Sequence, residues 1–148
     1  MIHLGIDPGM SGAMVVLDEF GHPMRAPCKL DGTDADISEW LVGTIGLSAE
    51  CHAFIEKVHS MPKQGVVSSF KFGRSLGFLH GLLVAWKVPY TEVSPQCWQK
   101  AMGCLTHGDK NISKARAQQL WPSLKITHAT ADALLIAEYG RRTWKVTA

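Results

Sequence analysis

Two largely apolar runs, Ile2-His3-Leu4-Gly5-Ile6 and Ala13-Met14-Val15-Val16-Leu17, are joined by Asp7-Pro8-Gly9-Met10-Ser11-Gly12. Five-residue apolar runs bounded by Pro, Gly and Ser read as buried strands meeting at a tight turn. The turn carries one acid at its mouth, Asp7. Gly9 and Gly12 are expected to supply positive φ and to leave room for a close approach to the backbone. A carboxylate held there can bind a metal ion or a phosphate-bound metal.

The rest of the chain extends this start into a mixed α/β sheet with helices packed on it. Residues 2–6, 12–17 and 23–28 read as three antiparallel strands, the second turn being Glu19-Phe20-Gly21-His22-Pro23. Asp34 to Val42 reads as a short helix with an acidic first turn, as the helix dipole favours. Cys51 to Glu56 is an apolar strand ending at an acid, and Pro62 to Gly65 a loop. A long helix is expected over Val66–Trp86, where Phe72, Leu76, Leu79, Leu83 and Trp86 recur at helical spacing. Gly73, Gly77 and Gly81 fall four apart on another face. Interior helix glycines cost about 1 kcal/mol each relative to Ala, so another backbone is expected against that row, from the protein's own sheet or from a second copy. Val88–Val93 reads as a strand, Pro95–Met102 as a helix opened by proline, and Leu105–Asn111 as a polar loop. Ile112–Leu120 reads as a basic helix ended by Pro122, and Ala129–Trp144 as the last helix.

Composition bounds the class. At 148 residues and 46% apolar content, one globular domain spanning 1–148 is expected, with a sizeable core. No apolar run reaches the roughly 18 residues of a membrane span, and no basic segment followed by an apolar stretch suggests a secretory leader. Cys28, Cys51, Cys97 and Cys104 lack CxxC spacing and read as reduced thiols in a cytoplasmic setting rather than as a zinc site. Charge is segregated. Residues 1–50 hold eight acids and two bases, whereas residues 51–148 hold five acids and thirteen bases. Such asymmetry suits a polyanionic partner on one face, although a solvated basic surface would produce the same count.

Three acids stand at ends of elements: Asp7 after the first strand, Glu56 at the end of a later one, and Asp132 in the first turns of the final helix. Adjacent parallel strands bring Asp7 and Glu56 to one sheet edge, and a helix packed there adds Asp132. Converging carboxylates repel unless cations lie between them. Oxygen donors suit Mg²⁺ or Mn²⁺, and two such ions about 3.5–4 Å apart support phosphodiester hydrolysis. Taken singly, each acid has a structural reading; the joint placement favours the metal. His128, four residues before Asp132, shares its helical face and reads as a fourth ligand, an orienter of water, or a capping residue. His59 reads as a base-stacking side chain or an exposed loop histidine. Lys57, Lys63, Lys71 and Arg74 surround the entry to the long helix. Lys100, Lys110, Lys114 and Arg116 lie between the fifth strand and the last helix; both groups suit phosphate contacts. Arg141, Arg142 and Lys145 read as a solvated helix C-terminus, where the dipole favours cations.

Taken in order, Gly5-Ile6-Asp7-Pro8-Gly9, Ile55-Glu56-Lys57-Val58 and Ala131-Asp132-Ala133-Leu134-Leu135-Ile136-Ala137 resemble the motifs of RuvC-type Holliday junction resolvases in their short phage or prophage form. The resemblance extends through Thr91-Glu92-Val93-Ser94-Pro95 and covers nearly the whole chain. It implies an RNase H-like fold with a five-stranded sheet, a homodimer, and two-metal Mg²⁺-dependent cleavage of four-way DNA junctions by paired nicks. Mn²⁺ would substitute, and the products would be 5′-phosphate and 3′-hydroxyl ends. The implied metal carboxylates are Asp7, Glu56 and Asp132, and Lys100 and Lys110 are implied as backbone-contacting lysines. The implied setting is the cytoplasm of a bacterial or phage-infected cell. Two positions depart from the bacterial pattern. Ala129 stands where those members carry an Asp or His, leaving His128 or Thr127 to complete the site, and His59 stands where they tend to carry an aromatic.

Three rival readings remain at the level of sequence. One is a nuclease for forks, flaps or replication intermediates. Another is a junction-binding protein silenced by Ala129. The third is a phosphate-binding domain of the sugar-kinase and actin type, which needs two such domains and far more chain.

Overall fold

A computed structural model describes residues 1–48, 50–59 and 62–144. Its elements run β1 (Ile2–Ile6), β2 (Ala13–Leu17), β3 (Cys28–Lys29), α1 (Asp34–Ile45), β4 (Cys51–Glu56), α2 (Val66–Ala85), β5 (Tyr90–Val93), α3 (Pro95–Ala101), α4 (Lys110–Leu120) and α5 (His128–Thr143). The strands form one open mixed sheet in the order β3-β2-β1-β4-β5. β1 pairs antiparallel with β2 through the glycine turn, and parallel with β4. β5 extends the parallel half on the far side of β4. Each parallel step needs a long crossover, which α1 and α2 provide.

Strand alternation splits the interior into two cores. Ile2, Leu4 and Ile6 of β1 and Ala53 and Ile55 of β4 pack with Ile37 and Leu41 of α1 and Leu79 and Leu83 of α2. On the other face, Val15, Leu17, Phe54 and Val93 pack with Trp98, Ala117, Trp121 and the buried stripe of α5. Helix α5 lies over β1 and β2. Its approach is unusually close. A Cβ on Gly5 would run into the carbonyl of Ala133 and the amide of Ala137, and one on Gly140 would enter the ring of Phe54.

Several boundaries differ from the sequence reading. The expected strand 23–28 reduces to Cys28–Lys29 plus an isolated bridge from Leu17 to Pro23. Pro23 and Pro27 lack the N–H a ladder needs. Arg25 instead turns to α1, donating to the Trp40 carbonyl at 2.9 Å with its guanidinium 4.9 Å from the Trp40 ring centroid. Strand β5 starts at Tyr90, because the Val88 amide closes the end of α2 on Leu83 at 2.8 Å and Pro89 has no amide hydrogen. Helix α1 runs three residues further than expected, to Ile45. In α2 the expected apolar face buries Leu79 and Leu83, but Trp86 lies past its end and is 45% exposed.

The glycine row of α2 does not pack on the protein's own sheet. A Cβ at Gly73, Gly77 or Gly81 would meet nothing within 4 Å. Arg141 and Arg142 are not simply solvated either. They grip buried Glu138 at 2.7 and 2.6 Å, holding its carboxyl below the usual range against the opposing effect of burial. Arg141 also donates to the Glu19 carbonyl at 3.2 Å, which ties the β2–β3 turn to α5. Lys145 lies outside the described residues. Cys28, Cys51, Cys97 and Cys104 carry free thiols. Among the described residues no helix is long and apolar enough to cross a membrane.

Candidate active site

The parity that builds the cores also aims the acids. Positions 3, 5 and 7 share one side of β1, and positions 52, 54 and 56 share one side of β4. Gly5 and Phe54 both lie against α5, so Asp7 and Glu56 follow on the side that faces that helix. The register pairs Ile6 with Ile55, which sets Asp7 beside Glu56 where the two parallel strands end. Helix α5 starts at His128, and its second turn brings Asp132 over the same edge.

Each carboxylate is held locally. The Asp7 amide donates to the Ala13 carbonyl at 3.0 Å and the Gly12 amide to the Gly9 carbonyl at 2.8 Å, closing the turn. Asp7 Oδ1 accepts from the Gly9 amide at 3.2 Å. Neither Gly9 nor Gly12 adopts the positive φ expected of them; the described glycines that do are Gly21, Gly103 and Gly108. Gly12 is required for another reason, since a Cβ there would collide with the Asp7 carbonyl. Glu56 Oε1 accepts from the Trp98 indole N–H at 2.9 Å. The Lys57 amide bonds the Val93 carbonyl at 2.8 Å, keeping β4 and β5 zipped past Glu56. Ser113 of α4 lies beside the Asp132 carboxylate, and its hydroxyl donates to the Lys110 carbonyl at 3.2 Å.

The electrostatics show that the three acids sense one another. Burial is the largest cause pushing Glu56 up to about 7, followed by the charges of Asp7 and Asp132. Burial and the Asp132 charge raise Asp7 against the Gly9 hydrogen bond. Burial likewise raises Asp132. Lys110, at the start of α4, opposes the rise at all three. His128 acts on Asp132 in the same sense as Lys110. Thr127, the other residue considered for the fourth position, has its hydroxyl 3.3 Å from that of Thr130, within the closure of the helix start.

The donor set fits a hard divalent cation in chemistry. All three acids offer oxygen, and Asp132 Oδ1 is buried with no hydrogen-bond partner. An orphaned buried carboxylate oxygen beside two further carboxylates is unfavourable without a cation. In spacing the set is open: among the described residues, no three His, Cys, Asp or Glu side chains close into a ready metal cage. Open positions are what Mg²⁺ commonly fills with water and phosphate oxygens.

The other residues singled out by sequence are distributed around this edge. Lys57 and His59 line a cavity of about 400 Å³ with Val58, Phe72 and Pro95. Lys63, Lys71 and Lys100 are exposed, Lys63 with a left-handed φ of 69°. Lys114 is half-buried on α4. Two of the cations are engaged within the protein. Arg74 binds Asp34 of α1 at 2.6 Å, and Arg116 donates to the Met102 carbonyl at 2.8 Å and to Gln119 at 3.2 Å. Trp98 and Ser113 were not singled out in the sequence reading. The only cue to Trp98 was an aromatic in the first turn of a proline-opened helix that follows a strand neighbouring Glu56. A further cavity, of about 560 Å³, opens at the opposite end of β4 beside Cys51, His52, Trp86 and Trp144, away from the acids.

Among solved structures, that of Thermus thermophilus RuvC is similar to this chain with a TM-score of 0.69, covering 96% of each chain at 17% identity. The fold is that of RuvC. A second structure, T. thermophilus RuvC in complex with a Holliday junction substrate, matches with the same TM-score and coverage at 18% identity. No family model and no curated protein sequence matches the chain. The likeness to RuvC therefore lies in the path of the backbone, an RNase H-like mixed sheet with its helices, rather than in overall identity.

Proposed function

We propose that this protein is a RuvC-type, divalent-metal-dependent endonuclease that resolves four-way DNA junctions as a homodimer. The observation that carries the reading is the convergence of Asp7, Glu56 and Asp132 at the end of the β1–β4 pair, each held above its ordinary carboxylate range. It stands on a fold shared with a protein solved in complex with a Holliday junction substrate.

In this reading Asp7, Glu56 and Asp132 hold the metal, with His128 assisting from the start of α5. Bound Mg²⁺ or Mn²⁺ supplies a Lewis acid for the phosphoryl oxygens and lowers the pKa of an attacking water. The protein's own residues do the rest. The glycine turn fixes Asp7, Trp98 fixes one oxygen of Glu56, and α5 delivers Asp132. Lys110 adds positive charge where the phosphoryl oxygens gain negative charge. The exposed lysines Lys57, Lys63, Lys71 and Lys100 position the DNA backbone without reading sequence. His59, beside the cavity that follows Glu56, stacks on an unpaired base.

The homodimer draws support from α2. Val66, Val67, Phe70 and Val84 are 86%, 68%, 74% and 65% exposed, and the glycine row is open. An apolar helix with a bare backbone stripe suits a second copy, and two sites related by a two-fold axis suit paired nicks in a symmetric junction.

The deciding experiment is cleavage of an end-labelled four-way junction in Mg²⁺ by wild type and Asp7→Asn, with a forked duplex alongside. Paired symmetric cuts by the wild type, lost in the variant, are expected. Preferential cutting of the fork would reassign the substrate. Junction binding without cutting in Mg²⁺ and Mn²⁺ would make the protein a silent binder.

A further inference from the structure

Trp98 is completely buried, with 0% exposure, yet its one polar atom does not bond a backbone carbonyl. It bonds Glu56 Oε1 at 2.9 Å. A buried indole N–H needs an acceptor, and the choice of a carboxylate in the acid cluster has a mechanical consequence. Glu56 is a flexible side chain at the end of a strand, and Asp7 and Asp132 repel it. Trp98 has only two side-chain torsions, and its ring is buried in one core cluster with Val93, Met102 and the α5 stripe.

The helix that carries Trp98 is itself anchored. The Ser94 side chain accepts from the Cys97 amide at 3.3 Å, and Pro95 occupies the first turn. Cys97 Sγ lies 3.4 Å from the Tyr139 hydroxyl of α5. The indole thus connects Glu56 to the same helix that supplies Asp132.

We propose that Trp98 is a positioning residue for the metal site: its indole N–H holds Glu56 Oε1 and so keeps that carboxylate turned toward Asp7 and Asp132. This rests on the metal-dependent reading above. Outer-shell partners of this kind typically change metal affinity by about 10–100-fold when removed. Trp121 provides a control. It is also a core tryptophan, 8% exposed, and its Nε1 donates to a backbone oxygen, Gly21 O, at 2.9 Å, away from the acids.

The test is Mn²⁺ binding by calorimetry on the full-length protein, without DNA, for wild type, Trp98→Phe, Trp121→Phe, Glu56→Gln and the Glu56→Gln/Trp98→Phe double variant. Trp98→Phe is expected to bind Mn²⁺ about tenfold more weakly. Trp121→Phe should match wild type, and the double variant should bind no more weakly than Glu56→Gln alone. Wild-type affinity in a folded Trp98→Phe overturns the proposal, as does an equal loss in Trp121→Phe. A wild type that binds no Mn²⁺ overturns the metal-dependent reading and this inference with it, whereas wild-type binding with an unchanged variant removes only the role of Trp98. If Trp98→Phe does not fold, ¹⁵N-labelled wild type is titrated with Mg²⁺. The Trp98 indole N–H resonance should shift saturably while that of Trp121 stays in place, and a Trp98 resonance unmoved by Mg²⁺ defeats the proposal.

Discussion

Gly5 of β1 lies directly beneath Ala133 of α5, so close that a methyl group on Gly5 would occupy the space of the Ala133 carbonyl. This contact sets the height of α5 above the sheet. Two residues beyond Gly5 is Asp7, and one residue before Ala133 is Asp132, so the same contact sets the separation of two of the three acids. Gly5→Ala is expected to cost about 3 kcal/mol by forcing backbone apart in a packed core. It should also lower metal-dependent cleavage, because α5 must lift. Thermal unfolding and junction cleavage on the same preparation check both effects.

The acid cluster predicts an inverted pH dependence of stability in metal-free buffer. Glu56 titrates near 4.5 when unfolded and at about 7 in the fold. The folded state therefore holds its proton more tightly. The stability this contributes is fully present below pH 4.5 and is lost as pH rises through 7. Burial also lowers His3, to about 4, with the opposite sign: its stabilisation is present above 6.5 and lost as pH falls through 4. Comparing wild type with Glu56→Gln separates the two. The variant should lose Glu56's share of the decline between pH 4.5 and 7, leaving that of Asp7 and Asp132, and be more stable than wild type at pH 8 by on the order of 2 kcal/mol. Urea unfolding in EDTA at pH 5 and pH 8 measures this.

Removing one carboxylate should separate stability from activity. Asp7→Asn relieves repulsion with Asp132, so its midpoint in EDTA should rise by a few degrees. Its cleavage rate should fall on the order of a thousandfold, about 4 kcal/mol of transition-state stabilisation. A variant that both unfolds earlier and cuts at the wild-type rate would contradict the placement of Asp7 in the site.

How much of this was legible in the sequence follows from which physical signals are local. Cys51–Glu56 was readable to the residue, because a short apolar run stopped by an acid is a local signal. The α5 start, expected at Ala129, lies one residue earlier at His128. The segment after Pro23 was misread as a strand because its fate depends on Arg25 reaching Trp40, a contact with a helix that no periodicity reveals. Gly9 and Gly12 were recognised as a turn, but the reason for Gly12 is a close approach to Asp7, visible only in three dimensions. The acids could be grouped because each ends or opens an element. Trp98 could not be assigned to them, since nothing in its neighbours distinguishes an indole that bonds a carboxylate from one that fills a core.

The open stripe of α2 gives a two-part expectation. Gly77→Ala adds a methyl group that meets nothing within 4 Å of the protomer. Helix propensity alone should then stabilise an isolated protomer by roughly 1 kcal/mol. If a second copy packs its backbone on this stripe, the same methyl group obstructs the approach. Sedimentation should show a dimer for wild type and a shift toward monomer for Gly77→Leu, whose larger side chain cannot be accommodated at a close helix crossing. A dimer unchanged in Gly77→Leu would place the interface elsewhere.

Lys110 is the cation whose charge acts on Asp7, Glu56 and Asp132 alike. Its two contributions have opposite signs. In the metal-free protein it offsets repulsion among the carboxylates, so Lys110→Met should lower the unfolding midpoint in EDTA at pH 8, where Glu56 is charged. At pH 5, with Glu56 protonated, the loss should shrink. In the proposed cleavage the same charge would face phosphoryl oxygens, and removing it should slow the reaction by about 10²-fold, the scale of losing one electrostatic contact to the transition state. Lys114 and Lys100 carry no such coupling to the acids and should, when neutralised, weaken junction binding with a shallower salt dependence and a smaller change in the bound cleavage rate. Single-turnover cleavage at saturating enzyme separates the two classes: a slow Lys110→Met with near-normal binding supports the assignment, and a normal rate with weakened binding would move Lys110 to the phosphate-positioning group.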